Sequence, residues 1–157
     1  MEDASRSTRP HAVLFACGLN SVRSPMAAGL YKQIIGRASY VASAGVRKDE
    51  LDPFAVAALE EVGIDISRHR PMTFEELEDW EGLNFDLIVT LSPEAHHKAL
   101  ELTRTMAVDV EYWPTFDATL MIGQGSREQI LQAYRSVRDA LFKRIKQRFG
   151  LEGGPSV

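Results

Sequence analysis

Apolar positions along this chain switch repeatedly between two spacings. Ala12-Val13-Leu14-Phe15-Ala16 is a continuous apolar run, and Met26, Leu30 and Ile34 follow at four-residue intervals. The first pattern predicts a buried strand and the second one face of a helix, with Gly36 as its carboxy-terminal cap. Tyr40-Val41-Ala42-Ser43-Ala44 reads as a second strand. Asp52-Pro53 opens a helix with Val56, Leu59 and Val62 on one face, closing at Gly63. Thr73 and Glu76 are spaced as a capping box, Met72 and Leu77 as a hydrophobic staple, for a short helix ending near Gly82. Leu87-Ile88-Val89-Thr90-Leu91 has the unbroken apolar character of a central parallel strand. Ser92-Pro93 starts another helix, Val108, Val110 and Tyr112 alternate along a fourth strand, and Pro114 to Gly125 is a long loop. Ser126 and Gln129 form a second capping box ahead of Ile130, Tyr134, Val137, Leu141, Ile145 and Phe149, the stripe of a long amphipathic helix.

Strands alternating with helices predict an α/β fold: a three-layer sandwich with a four-stranded parallel sheet and helices on both faces. Helix-length connections imply parallel neighbours with right-handed crossovers. Gly29, awkward inside a helix, is expected to mark close packing on the sheet. One domain is expected over residues 11–150, with a polar, disordered tail at 1–10 and a loose tail at 151–157. There are no repeats or low-complexity tracts.

Composition narrows the setting. With 45% hydrophobic and 25% charged residues the chain has an ordinary globular make-up. A net charge of −4 without a basic stripe argues against nucleic acid as a partner. No apolar run approaches a membrane span, and the beginning does not read as a signal peptide, so no membrane partner is expected. The single cysteine cannot form an internal disulfide and fits a reducing, cytoplasmic setting.

That cysteine sits where the first strand hands over to a helix, in Cys17-Gly18-Leu19-Asn20-Ser21-Val22-Arg23-Ser24-Pro25. The first N–H groups of a helix lack intrahelical partners, and the helix dipole places positive charge there. A loop wrapped around that end, residues Gly18 to Ser24, presents N–H donors to a phosphate oxyanion. The same field favours a thiolate, so Cys17 is expected to titrate below an ordinary cysteine. Arg23 can grip two phosphate oxygens with its planar guanidinium. Ser24 can cap the helix or donate to the thiolate, and Pro25 suits a first helical turn. The arrangement describes a phosphate-transferring nucleophile. The plainer alternative is a buried structural cysteine with an arginine six residues on.

These residues are similar to the signature of the low-molecular-weight protein tyrosine phosphatases: a cysteine, an asparagine three residues on, then Arg-Ser-Pro. The resemblance covers about residues 12–148. It implies a small doubly wound sheet ordered 2-1-3-4, no metal or other cofactor, and a phosphoenzyme formed on Cys17. It also implies a supporting network that falls here on Asn20, Ser43 and His69, with Ser24 at the thiolate. Leu19 stands where the family usually has glycine, and Val22 where many members carry a second cysteine.

Breaking a phosphoester also needs a proton for the departing oxygen. Glu111 belongs to the fourth strand and is expected to face solvent. Asp117, in the loop that follows, is the candidate acid; the family's acid lies in the matching loop in an Asp-Pro pair, and Ala118 replaces that proline. The plainer reading is that Asp117 caps a turn. Arg47 and Lys48 either greet acidic residues of a substrate or form a solvated loop. Trp113 and Phe116 either wall the substrate slot or pack in the core. His96 and His97 diverge on a helix and make no metal site.

The expected activity is hydrolysis of protein phosphotyrosine, or an aryl phosphate, through a cysteinyl phosphate. Inorganic phosphate or a similar oxyanion is the expected loop ligand, and the chain is expected to be a monomer or weak dimer. Two other readings stand: an arsenate reductase using an external thiol, and a phosphate- or phosphopeptide-binding module without turnover.

Overall fold

In a computed structural model, which describes residues 10–150, four strands form one sheet in the order β2-β1-β3-β4, every neighbouring pair parallel. The strands are β1 (Ala12–Cys17), β2 (Tyr40–Gly45), β3 (Leu87–Thr90) and β4 (Asp109–Tyr112). The helices are α1 (Arg23–Ile35), α2 (Pro53–Glu60), α3 (Phe74–Glu81), α4 (Pro93–Leu102) and α5 (Arg127–Ile145). The doubly wound order implied by the signature is therefore the observed one. The expected tails at 1–9 and 151–157 lie outside the described residues. Pro10, assigned to the tail, is buried, and its carbonyl accepts a 2.8 Å bond from the Ser39 hydroxyl.

The pleat of β1 sorts its side chains between two cores. Val13, Phe15 and Cys17 face α1, α2 and α5, where Met26, Leu30, Leu59, Tyr134 and Leu141 pack. Leu14 and Ala16 face α3 and α4, where Phe74, Leu77, Ala95 and Ala99 pack. The only cysteine thus ends the central strand with its side chain on the α1 side.

Local signals set most boundaries. Both capping boxes are complete: Thr73 with Glu76 at the start of α3, Ser126 with Gln129 at the start of α5. Asp52 caps α2 and Ser92 caps α4. Gly36 ends α1 at φ +69°, a conformation that suits a residue without Cβ. Two expectations fail on packing. α2 buries Ala55, Ala58 and Leu59, and stops at Glu60; Val62 is exposed in the turn beyond. Leu59 is buried and Val56 packs partly against the same core, so only Val62 leaves the expected face, and Ala55 and Ala58 complete it. Gly29 approaches Ile66 and Leu59, not the sheet; a Cβ there would stand 2.7 Å from Ile66 Cγ2.

α5 is fastened to α2 by a cluster around Glu61. Arg135 and Arg138 both bond its carboxylate, which they hold at about 2, well below the usual carboxylate range. At the far end, Glu111 does not face solvent as expected. It accepts from Arg148 and from the Trp113 indole N–H, tying the last turn of the chain to β4.

Candidate active site

The segment Gly18–Val22 leaves β1 and enters α1 at the carboxyl edge of the sheet, where ligands of open α/β folds sit. Its carbonyls are held from behind by the segment after β2. The N–H groups of Val46, Arg47, Asp49 and Asp52 donate to the carbonyls of Cys17, Gly18, Leu19 and Ser21, at 2.9–3.2 Å. A peptide unit is planar and trans. Turning those carbonyls outward therefore turns the N–H groups of Gly18, Leu19, Asn20 and Val22 inward, as a ring of donors. One of them, Asn20 N–H, points at Cys17 Sγ at 3.3 Å.

The Ser24 hydroxyl lies 3.0 Å from the same sulfur. Ser24 is the second residue of α1, and the helix has no side-chain cap. Of its two expected roles it takes the one at the sulfur. Cys17 itself is only 2% exposed, at the floor of a small cavity walled by Leu19, Ser21, Val22, Arg23, Asp117 and Thr119. The cysteine is buried, but polar groups surround its sulfur, and this separates it from a structural cysteine in hydrocarbon.

Asn20 is the keystone of the loop. It is the sole non-glycine with positive φ among the described residues, at 54°. Its buried carboxamide makes four hydrogen bonds. Nδ2 donates to Ser24 Oγ at 2.7 Å and Ser43 Oγ at 3.0 Å; Oδ1 accepts from Met72 N–H and His69 Nε2, both at 2.9 Å. The network of Asn20, Ser24, Ser43 and His69 assembles as the signature implied. Leu19, in contrast, keeps an ordinary backbone, so its side chain needs no glycine-like conformation. Its carbonyl is bonded and its side chain walls the cavity.

Because an amide oxygen only accepts, His69 Nε2 carries a proton and the ring is neutral when Nδ1 is bare. Burial pushes the His69 pKa below 6.5. The neutral ring then favours the folded state at pH above that value. The advantage shrinks as pH falls, when the unfolded chain takes up the proton first. Thermal unfolding of His69→Gln measured from pH 7.5 down to pH 5.5 should show a shallower loss of stability than the parent.

Arg23 begins α1 and reaches across the cavity mouth. Its Nη1 donates to the Thr115 carbonyl at 3.1 Å, and its Nη2 lies 4.0 Å from Asp117 Oδ2. Asp117 both caps a turn and faces the arginine. Oδ1 accepts from the Thr119 N–H at 3.0 Å and hydroxyl at 2.6 Å, capping the short turn Ala118–Met121. Oδ2 is left toward Arg23 and the cavity. The two readings of this residue are one arrangement, in which the cap aims the free oxygen.

The remaining candidates separate. Trp113 is core, packed edge-on to Phe15 and against Phe149, whereas Phe116 is exposed near the mouth. Arg47 and Lys48 are neutralised by ion pairs to Glu94 and Glu76, both at 2.7 Å. A groove of about 510 Å³ leads outward from Leu19, Ser21 and Thr119 between Leu51, Phe54 and Ile122. Asp49 and Glu50 line it without a cationic partner among the described residues. His96 bonds Thr90 and stacks on Tyr112, away from His97.

Sequence reasoning missed Gly45. A Cβ there would stand 2.3 Å from the Arg47 carbonyl oxygen and 2.8 Å from Asn20 N, with backbone on both sides. Gly45→Ala should destabilise the protein by about 1–3 kcal/mol in denaturant titration and weaken phosphate binding with it. The Thr115 carbonyl was also missed, since a main-chain acceptor leaves no mark in residue identity.

A parallel sheet of this order, with a cysteine–arginine loop between its first strand and first helix, defines the class of small cysteine-dependent phosphatases and their relatives. Within that class, the chain belongs to the low-molecular-weight phosphotyrosine protein phosphatase family, whose model matches residues 12–148. An arsenate reductase of Bacillus subtilis (strain 168) is 38% identical over 136 residues, 86% of this chain and 92% of the relative. Among solved structures, a tyrosine phosphatase of Erwinia amylovora shares the fold with a TM-score of 0.68 at 18% identity, over 89% of this chain and 91% of its own. An arginine phosphatase variant with a phosphorylated active-site serine has a TM-score of 0.64 at 25% identity, over 87% and 91%.

Proposed function

We propose that this chain is a phosphomonoesterase that cleaves aryl phosphates, protein phosphotyrosine among them, through a phosphocysteine. The observation carrying this is the meeting of three groups at one cavity. They are Cys17 Sγ under two donors, the Arg23 guanidinium, and an Asp117 oxygen left unbonded by its own cap. Cys17 thiolate attacks phosphorus in line. The S–P bond forms as the bond to the leaving oxygen breaks, and Asp117 supplies that oxygen's proton. Arg23 and the amide ring hold the three equatorial oxygens as charge builds. The Asp117 carboxylate then takes a proton from water. The water oxygen attacks phosphorus, the S–P bond breaks, and inorganic phosphate leaves. The groove walled by Leu51, Phe54 and Ile122 suits an aromatic leaving group. Asp49 and Glu50, without a cationic partner among the described residues, disfavour acidic residues beside the phosphate. A lone free thiol suits a reducing compartment, and this reading takes the cytoplasm as the setting. Steady-state hydrolysis of p-nitrophenyl phosphate and phosphotyrosine peptides tests the reading; absence of turnover alongside tight phosphate binding would make the chain a binding module.

The Bacillus subtilis relative favours a second reading, arsenate reduction. With one cysteine in 157 residues, the chain would need an external thiol. Cys17 thiolate would attack arsenate, the S–As bond forming as an As–O bond breaks and the oxygen leaves as water, and an external thiolate would then attack Sγ. The S–As electron pair would leave on arsenite, and a second thiol would release Cys17 as the external disulfide forms. Arsenate-dependent oxidation of glutathione or glutaredoxin distinguishes this activity from hydrolysis.

A further inference from the structure

The reading above uses nothing from α5, yet α5 reaches the segment that backs the loop through one buried side chain. Tyr134 is fully buried, and its hydroxyl donates to Asp52 Oδ2 at 2.6 Å. The Asp52 carbonyl accepts from the N–H groups of Ala55 and Val56, and three further bonds join its side chain and N–H to their surroundings. Its Oδ1 accepts from Phe54 N–H at 2.8 Å as the cap of α2, its Oδ2 accepts from Tyr134, and its own N–H donates to the Ser21 carbonyl at 3.1 Å. Burial and the Asp52 carboxylate push the Tyr134 hydroxyl far above the ordinary phenol value, so it remains a donor.

We propose that Tyr134 and Asp52 are positioning residues for the oxyanion loop. Ser21 is the last loop residue whose carbonyl is held by the segment after β2, and its peptide partner is Val22 N–H, a member of the inward ring. If the Ser21 carbonyl is released, that peptide can rotate and the ring loses a donor next to Arg23. Asp52 is well placed to prevent this only while it is fixed. The bonds to Phe54, Ala55 and Val56 tie Asp52 to the start of α2 alone; the Tyr134 hydroxyl, anchored in the core through α5, ties its carboxylate to a second element. The groups facing Asp52 Oδ2 and Tyr134 include no cation in ion-pairing contact, so the phenol is the carboxylate's one side-chain donor among the described residues. Arg127 lies over the Phe54 ring instead.

The inference rests on the anion-binding loop of the proposed phosphatase, and its test reads anion affinity apart from turnover. Calorimetric titration of the full chain with inorganic phosphate should show a dissociation constant raised about tenfold in Tyr134→Phe, equivalent to about 1.4 kcal/mol. Asp52→Ala should raise it at least as much, and the double variant no further than Asp52→Ala alone, since both act through one contact. Asp52→Asn keeps the cap and can donate to the phenol oxygen, so it should bind phosphate at least as tightly as the parent. Melting curves of each variant accompany the titrations. A Tyr134→Phe protein that melts lower but binds phosphate within twofold of the parent is merely less stable, and overturns the proposal. Losses that multiply in the double variant, or an Asp52→Asn loss as large as that of Tyr134→Phe, overturn it too. No phosphate binding by the parent removes the loop reading and this inference together, whereas unchanged binding in Tyr134→Phe removes this inference alone.

Discussion

Cys17→Ser should abolish hydrolysis of p-nitrophenyl phosphate, by a factor of at least about 10⁴, while leaving phosphate bound. The size of the effect follows from chemistry. A serine hydroxyl in this loop has no base free to take its proton: Ser24 is itself a hydroxyl, His69 is committed to Asn20, and Asp117 enters this step protonated as the acid for the leaving oxygen. Retained binding follows from geometry. Arg23 and the inward amides belong to groups that the substitution does not touch, and the oxygen replaces sulfur between the same two donors. Calorimetry with phosphate beside a turnover assay gives both halves of the result. Loss of binding together with turnover would mean that the sulfur shapes the loop. Persistent turnover would move the nucleophile elsewhere and remove the proposed mechanism.

The second large effect is expected at Asp117. Asp117→Ala should slow aryl phosphate cleavage on the order of a hundredfold. The loss should grow with the basicity of the leaving group, from p-nitrophenyl to phenyl phosphate, because a poorer leaving group depends more on the proton. Asp117 also caps the Ala118–Met121 turn, so a cap-preserving control is needed. Asp117→Asn retains an acceptor for Thr119 but cannot protonate the leaving oxygen. It should match the alanine variant in rate and the parent in melting temperature. If Asp117→Asn hydrolyses phenyl phosphate at the parental rate, the residue is a cap and nothing more.

Much of this site was legible in the chain itself, and the physical reasons are specific. A strand followed by Cys-x5-Arg-Ser-Pro fixes where a loop must lie, because strand and helix each have a strong period. Asn20, Ser43 and His69 were legible through the resemblance, since their side chains make the bonds. The capping boxes at Thr73 and Ser126 could be read because a cap is a local event between residues three apart. What could not be read was carried by backbone or by distance. The carbonyl-to-amide bonds from 46–52 to the loop involve no particular side chain. The Tyr134 to Asp52 bond spans 82 positions, and the tyrosine looked like one more member of an apolar stripe. The face of α2 was read only in part: Leu59 and Val56 do pack inward, Val62 lies beyond the helix end, and Ala55 and Ala58 were missed because small residues leave a weak apolar signal. Arg47 and Lys48 looked like free cations because Glu94 and Glu76 come from elements far along the chain.

The main-chain grip on residues 17–21 sets a rule for how this scaffold can vary. Positions 46, 47, 49 and 52 contribute amide hydrogens, so proline is the residue barred at all four, and Gly45 must stay free of a Cβ. Side chains at 47–50 are otherwise unconstrained by the Cys17–Ser21 main chain they encircle. Lineages can therefore rewrite the charge and shape of that collar without retuning the chemistry beneath it, which allows one chassis to serve substrates as different as its relatives' names suggest.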